Sequence, residues 1–101
     1  MKQFEKFKQK LDIFGGYITE PDIKYFESGK CRTTFAIPLK EKKEDTPIFL
    51  NCECWGKLAE KAATLNKGDE VLVIGYLKET EYESKIGEKK KKIIFVVKGI
   101  I

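Results

Sequence analysis

Phe49 and Trp55 lie in a segment whose alternation predicts a strand and puts both rings on the same face. They are six residues apart, which is about 20 Å at the rise of a strand. Exposed aromatic rings can stack on the bases of a single-stranded nucleic acid, each base contributing about 1–3 kcal/mol. The alternative is that either ring packs under a loop, the helix or a partner subunit, because large aromatic side chains are more often buried than functional.

Tyr82 and a set of basic residues extend this pattern. Tyr82 lies near Lys85 in a predicted hairpin, where it is either a third stacking residue or an ordinary surface tyrosine. Lysine ammonium groups act on phosphates as point charges. The candidate nucleic-acid-binding residues are Phe49, Trp55, Tyr82, Arg32, Lys57, Lys78, Lys85, Lys90 and Lys92.

The charge balance favours a polyanionic partner. The formal net charge is +4, and Arg32 is the only arginine among 20 basic residues. Base-specific readout depends on the rigid fork of arginine, so we expect binding that does not depend on sequence. Lysines are concentrated in two predicted hairpins, at Lys40, Lys42 and Lys43 and at 89–92. Such runs are otherwise solvated edges.

Acidic residues in the second hairpin oppose phosphate binding. They are Glu79, Glu81, Glu83 and Glu88. We therefore expect a modest affinity that depends strongly on salt.

The sequence offers no catalytic constellation. It contains no histidine, so a nucleophile would lack its usual base, and no glycine-rich phosphate loop is present. Cys31, Cys52 and Cys54 supply three thiols without a fourth ligand for zinc. We predict reduced thiols packed in the core, no metal, no cofactor and no enzymatic activity.

The length of 101 residues predicts one domain spanning residues 1–101. No apolar run approaches the ~20 residues of a membrane helix, and the start of the chain lacks the apolar stretch of a signal peptide. We therefore expect a cytoplasmic protein.

Five strands and one helix are predicted along the chain. The first strand, 10–18, has Leu11 and Ile13 on its apolar side, and Gly15-Gly16 suggests a bulge or sharp bend. The remaining predicted strands are 31–39, 47–55, 70–78 and 92–101, with a short helix between Gly56 and Asn66.

Alternation assigns faces to two of these strands. Ile48, Leu50, Cys52 and Cys54 form the apolar side of the third strand, opposite Phe49 and Trp55. Charged hairpins are predicted at 40–46 and 79–91, the latter with a turn near Ile86-Gly87.

The order of three strands, a helix and two strands is typical of the OB-fold, an all-β five-stranded barrel whose second and third strands bind oligonucleotides. Another small five-stranded barrel is the alternative.

Several segments resemble the bacterial single-stranded DNA-binding (SSB) family, in the order in which that family has them. They are Trp55-Gly56-Lys57-Leu58-Ala59-Glu60, Lys67-Gly68-Asp69-Glu70-Val71, Gly75-Tyr76-Leu77-Lys78 and, upstream, Gly15 with Glu20-Pro21-Asp22-Ile23-Lys24-Tyr25, Ser28-Gly29 and Phe35. The resemblance covers about residues 9–101.

This resemblance implies an OB-fold that assembles as a homo-oligomer, a tetramer or dimer, and wraps single-stranded DNA in replication, repair and recombination. It places Phe49, Trp55 and Tyr82 where the family has stacking aromatics. The family also usually carries an acidic tip that recruits partner proteins; here the chain stops at Ile101, so we do not expect recruitment through a tail. The alternative is an accessory subunit similar to the primosomal replication protein N, acting mainly through protein contacts.

Overall fold

A computed structural model describes residues 10–40, 43–44 and 46–101. Of the predicted binding lysines, Lys42 lies outside the described residues. In chain order the elements are β1 (Asp12–Tyr17), β2 (Asp22–Tyr25), β3 (Cys31–Leu39), β4 (Ile48–Trp55), α1 (Lys57–Ala63), β5 (Glu70–Glu83) and β6 (Lys89–Ile100). None of the helices in these ranges is long and apolar enough to cross a membrane.

The strands form one sheet in the order β1-β5-β6-β4-β3-β2. Neighbouring strands are antiparallel except β4 and β6, which run parallel where Cys52 pairs with Phe95 and Glu53 with Val96. Beyond β1, the backbone N–H of Thr19 donates to the carbonyl of Ala36 in β3 (2.9 Å). The N–H of Ala36 donates in turn to Oγ1 of Thr19 (2.8 Å). These bonds bring the first strand against the third, and the predicted all-β OB-fold is confirmed.

The core lies between the curled sheet and α1. On β3, Phe35 and Ile37 are buried, and Phe95 of β6 meets Phe14 of β1 edge to face with the ring centroids 5.1 Å apart. The helix buries its alanines, and the hydroxyl of Thr33 donates to the carbonyl of Ala59 (2.6 Å). This bond satisfies a hydroxyl that would be costly to bury alone, and it fixes the helix against β3.

The three thiols are part of this core. Cys31, Cys52 and Cys54 are buried and free, as predicted. Burial, with a smaller contribution from the neighbouring Cys54, raises the pKa of the Cys52 thiol to about 12. Burial, with a smaller contribution from Glu53, raises the pKa of Cys54 to about 12. Both thiols therefore stay protonated near neutral pH and serve as small apolar side chains.

Two details of the predicted faces are wrong. In β1 the side chain that packs against the core is Phe14, whereas Ile13 is 63% exposed. The prediction from Leu11 and Ile13 therefore chose the side of this strand that faces outward. Ile48 is 75% exposed, because β4 begins beyond the end of the core.

Of the bulge or sharp bend predicted at Gly15-Gly16, the bulge is excluded, since β1 pairs with β5 without a register break. The register shift lies between Ile74 and Gly75 of β5, opposite β6. A Cβ on Gly75 would lie 1.9 Å from the carbonyl oxygen of Val96. Only glycine allows the two backbones to approach so closely there.

The charged segment 79–91 is a hairpin with a turn near Ile86-Gly87, as predicted, and its arms are regular strands that form a β-ribbon. β5 continues to Glu83 and β6 begins at Lys89. The turn is confined to residues 84–88, where the N–H of Gly87 donates to Ser84 and the N–H of Ser84 donates to Glu88. A sixth strand, β2, was not predicted.

Candidate nucleic-acid interface

Strand β4 presents its rings on the outer side of the barrel. Cys52 and Cys54 point inward and are buried, so strict alternation turns Phe49 and Trp55 outward. Phe49 is 53% and Trp55 42% exposed. Both rings are therefore available at the surface, as the sequence predicts.

Trp55 is stacked on a second aromatic ring. The rings of Phe26 and Trp55 have centroids 5.8 Å apart and planes inclined by 20°. Phe26 directly follows β2, which pairs with β3 so that Lys24 lies opposite Arg32, and β3 pairs with β4 so that Arg32 lies opposite Trp55. The stack is thus a consequence of the register across three strands.

Two cations surround this stack. The guanidinium carbon of Arg32 lies 5.5 Å from the ring centroid of Phe26 and 5.8 Å from that of Trp55. The ammonium of Lys24 lies 5.3 Å from the Phe26 centroid. Cation–π attraction holds both groups beside the rings. Among the described residues, the buried Nε of Arg32 has no hydrogen-bond partner.

A carboxylate orients the indole. The Nε1–H of Trp55 donates to Oε1 of Glu53 (2.5 Å) two positions earlier on β4. Both side chains are on the outer face of the strand. The bond keeps the indole nitrogen directed along β4 rather than into solvent.

The ribbon formed by β5 and β6 sorts its charges onto opposite faces. On one face, Tyr82 pairs with Lys90, Thr80 with Lys92 and Lys78 with Ile94. On the other face the pairs are Glu79 with Ile93, Glu81 with Lys91 and Glu83 with Lys89. Side chains of directly paired residues share a face. Of the acidic residues that the sequence sets against phosphate binding, Glu79, Glu81 and Glu83 are therefore on the side away from Tyr82, whereas Glu88 lies in the turn.

The acidic face also neutralises its own lysines. The ammonium of Lys91 lies 3.2 Å from Oε1 of Glu79. On the opposite face, Tyr82 is 49% exposed and lines a surface concavity with Lys92. The Tyr82 face of the ribbon, defined by Lys78, Thr80, Tyr82, Lys90 and Lys92, is positive and contains no carboxylate.

The Tyr82 face continues into the outer face of β3 and β4. Because Cys52 and its partner Phe95 both point inward, Glu53 on β4 and Ile94 on β6 point outward. A groove of about 430 Å³ joins them and is lined by Arg32, Asn51, Glu53, Lys92 and Ile94 among others. The structure thus places Trp55, Arg32, Lys78, Tyr82, Lys90 and Lys92 along one continuous surface.

Other candidate residues are less closely placed. Phe49 is on the same outer face, but near the opposite end of β4, where it pairs with Pro38. Lys57 begins α1 and Lys85 lies in the turn of the ribbon, both exposed. Lys40 donates to the carbonyl of Lys43 (3.1 Å) within its own loop. The DNA-binding role of each of these residues stays a prediction.

Sequence reasoning missed Phe26 and Lys24. Both belong to the stretch from Glu20 to Lys30, in which turns were expected at 20–22 and 27–30 and no strand was predicted between them. The available signal was the alternation of Ile23 and Tyr25 with charged neighbours, which is typical of a short edge strand.

Residues 8–100 match the Single-strand binding protein family. The chain belongs to this family. The single-stranded DNA-binding protein 1 of Nostoc sp. is 48% identical over 71 residues, which cover 67% of this chain and 59% of the relative. The single-stranded DNA-binding protein of Thermus aquaticus is 32% identical over 82 residues, covering 77% of this chain and 31% of the relative.

A solved structure supports the same membership in the Single-strand binding protein family. The crystal structure of a deletion mutant of the Thermus aquaticus protein matches with a TM-score of 0.73 and 26% identity. The match covers 92% of this chain and 40% of that chain. This chain therefore spans less than two thirds of the length of each of these relatives.

The contact between Phe26 and Trp55 can be tested through the single tryptophan. Replacing Phe26 by leucine removes the stacked ring, and we expect a loss of about 0.5–1.5 kcal/mol in the free energy of unfolding beyond the lost buried area. Acrylamide should also quench Trp55 more efficiently. Urea unfolding and Stern–Volmer quenching measure the two effects. Tyr25→Leu, at the exposed neighbouring ring, is the control and should change neither quantity comparably.

Proposed function

We propose that this chain binds single-stranded DNA of any sequence, by stacking bases on aromatic rings and pairing lysines with phosphates. The observation that carries the proposal is the exposure of Trp55 and Tyr82 on one continuous surface with cations beside them. Membership of the Single-strand binding protein family supports it, as do the names of the Nostoc and Thermus relatives. The DNA would be the single strands exposed in replication, repair and recombination.

The surface has the two components that sequence-tolerant binding requires. Every base has a flat π-face, so rings such as Trp55, Phe26 and Tyr82 can accept any of the four. Lysines on the Tyr82 face of the ribbon supply positive charge along the backbone path, and the guanidinium of Arg32 adds a cation beside the rings. A base stacked on Trp55 would extend the pair that the ring already forms with Phe26.

Oligo-dT titration at low salt should quench the fluorescence of Trp55. Trp55→Ala should weaken binding by about 1–3 kcal/mol, the contribution of one stacked base, as measured by anisotropy of a labelled oligonucleotide. Tyr25→Ala removes an exposed ring from β2 on the side away from Lys24 and should leave the affinity nearly unchanged. A folded protein that shows neither quenching nor binding would refute the proposal and favour the alternative of an accessory subunit that acts through protein contacts.

The two faces of the ribbon provide a comparison at equal charge. Replacing Lys90 and Lys92 by alanine removes two cations from the Tyr82 face, whereas replacing Lys89 and Lys91 removes two from the acidic face. Each lost phosphate contact on a single strand should reduce the slope of log K against log salt by about 0.7. We expect this reduction for the first pair and little change for the second.

If the two double variants gave equal slopes of log K against log salt, the Tyr82 face would have no special role in phosphate binding. Binding isotherms at several salt concentrations give the comparison, and both variants carry the same net charge.

We further propose that the chain assembles as a homo-oligomer through the outer side of β1 and β5. β1 is at the edge of the sheet, where unpaired backbone groups can pair with another chain. The adjoining surface is apolar and exposed at Ile13, Leu72 and Ile101. Leu72 and Ile101 also line a shallow concavity beside Gly15.

Sedimentation equilibrium should therefore give a mass that is a multiple of the monomer. Ile13→Lys would bury a charge in the proposed contact and should shift the mass towards that of one chain. Ile86→Lys, at an equally exposed isoleucine in the turn of the ribbon, should not. A monomeric wild-type protein would contradict this proposal without affecting DNA binding.

A further inference from the structure

Glu53 is an unexpected residue at the centre of the candidate interface. The outward positions of β3 and β4 are Arg32, Thr34, Ala36, Pro38, Phe49, Asn51, Glu53 and Trp55, and Glu53 is the single carboxylate among them. It is half-buried, and it lines the groove between β4 and the ribbon, which Glu20 and Asp22 also line from the start of β2. A carboxylate on the path of a polyanion repels phosphates, so its presence there calls for a compensating contact.

One oxygen of this carboxylate is used and the other is not. Oε1 accepts the indole N–H of Trp55. In the part of the chain that the structure describes, the side chain of Glu53 has no other hydrogen bond and no ion pair. The bond to Trp55 fixes the carboxylate beside the edge of the ring on which a base would stack. Oε2 is therefore an acceptor held next to the edge of that base.

The bases differ in what they present to such an acceptor. Cytosine has an exocyclic N4 amine that donates to carboxylates, and adenine and guanine also carry exocyclic amines. Thymine has none, and its N3–H lies between two carbonyl oxygens that repel a carboxylate. A base with an amine can thus satisfy Oε2, whereas thymine leaves it desolvated and unpaired, which is costly.

We propose that Glu53 makes the subsite beside Trp55 selective for bases that carry an exocyclic amine, and that it does so through a hydrogen bond from the amine to Oε2. This inference rests on the proposed single-strand binding and deepens it. Stacking and phosphate contacts still accept any sequence, and a modest preference is added at one subsite.

The test compares oligo-dC with oligo-dT of the same length, since both pyrimidines stack weakly on themselves. Glu53→Gln is an informative variant because the amide oxygen can still accept the Trp55 N–H. Its NH₂ then replaces Oε2 and presents a donor where the wild type presents an acceptor. Glu83→Gln makes the same charge change on the acidic face of the ribbon and is the matched control.

The measured quantity is the ratio of the dissociation constants for oligo-dT and oligo-dC at one salt concentration. We expect Glu53→Gln to lower this ratio by about fivefold, the effect of one hydrogen bond, and Glu83→Gln to leave it unchanged. Oligo-dU, which lacks both the amine of cytosine and the methyl group of thymine, should bind the wild type as oligo-dT does.

Two results would overturn the inference while leaving single-strand binding intact. The first is an unchanged ratio in Glu53→Gln, with both oligonucleotides bound more tightly, which would mean that Glu53 only repels phosphates. The second is oligo-dU binding the wild type as well as oligo-dC. If neither oligonucleotide binds the wild type, the proposed function fails and this inference fails with it.

Discussion

The parallel pairing of β4 with β6 is the contact on which the arrangement of the surface depends. It spans only the pairs of Cys52 with Phe95 and Glu53 with Val96, yet it joins the strands that precede α1 to the strands that follow it. Because both Cys52 and Phe95 are buried, their neighbours on the two strands face outward together. The ring of Trp55 and the lysines of the ribbon share a surface for this reason, although they are distant in sequence.

Around that contact, the outer face is organised by side chains that restrain one another. Phe26 and Arg32 pack beside Trp55, and Glu53 holds the indole nitrogen. The ring is therefore largely oriented before any ligand arrives, which reduces the conformational entropy lost on binding. The ring of Trp55 is thus both exposed and held in one orientation, two properties that are seldom combined in a surface side chain.

Alternation in the sequence was sufficient to predict the faces of β3 and most of β4, because buried side chains recur at every second position from Cys31 to Ile37 in β3 and at Cys52 and Cys54 in β4. The helix predicted between Gly56 and Asn66 followed equally from local spacing, and it spans Lys57–Ala63. The stack of Phe26 on Trp55 could not be predicted, since it depends on a four-residue strand and on register across three strands. The sorting of charges was missed for a different reason. Glu79 and Glu81 already alternate with Thr80 and Tyr82, but the segment was predicted as a charged hairpin without faces being assigned to its two arms.

The close approach of β5 to β6 at Gly75 could not be predicted from the sequence. The residues around Gly75 are a continuous apolar run, and such a run gives no sign of a register shift. Further along the same strands, the ribbon imposes a constraint on evolution. A strand that gains or loses one residue between Lys78 and Tyr82 would exchange its two sides, and the glutamates would then face the groove. Substitutions at the tip of the ribbon should therefore be tolerated far more readily than insertions or deletions in its arms.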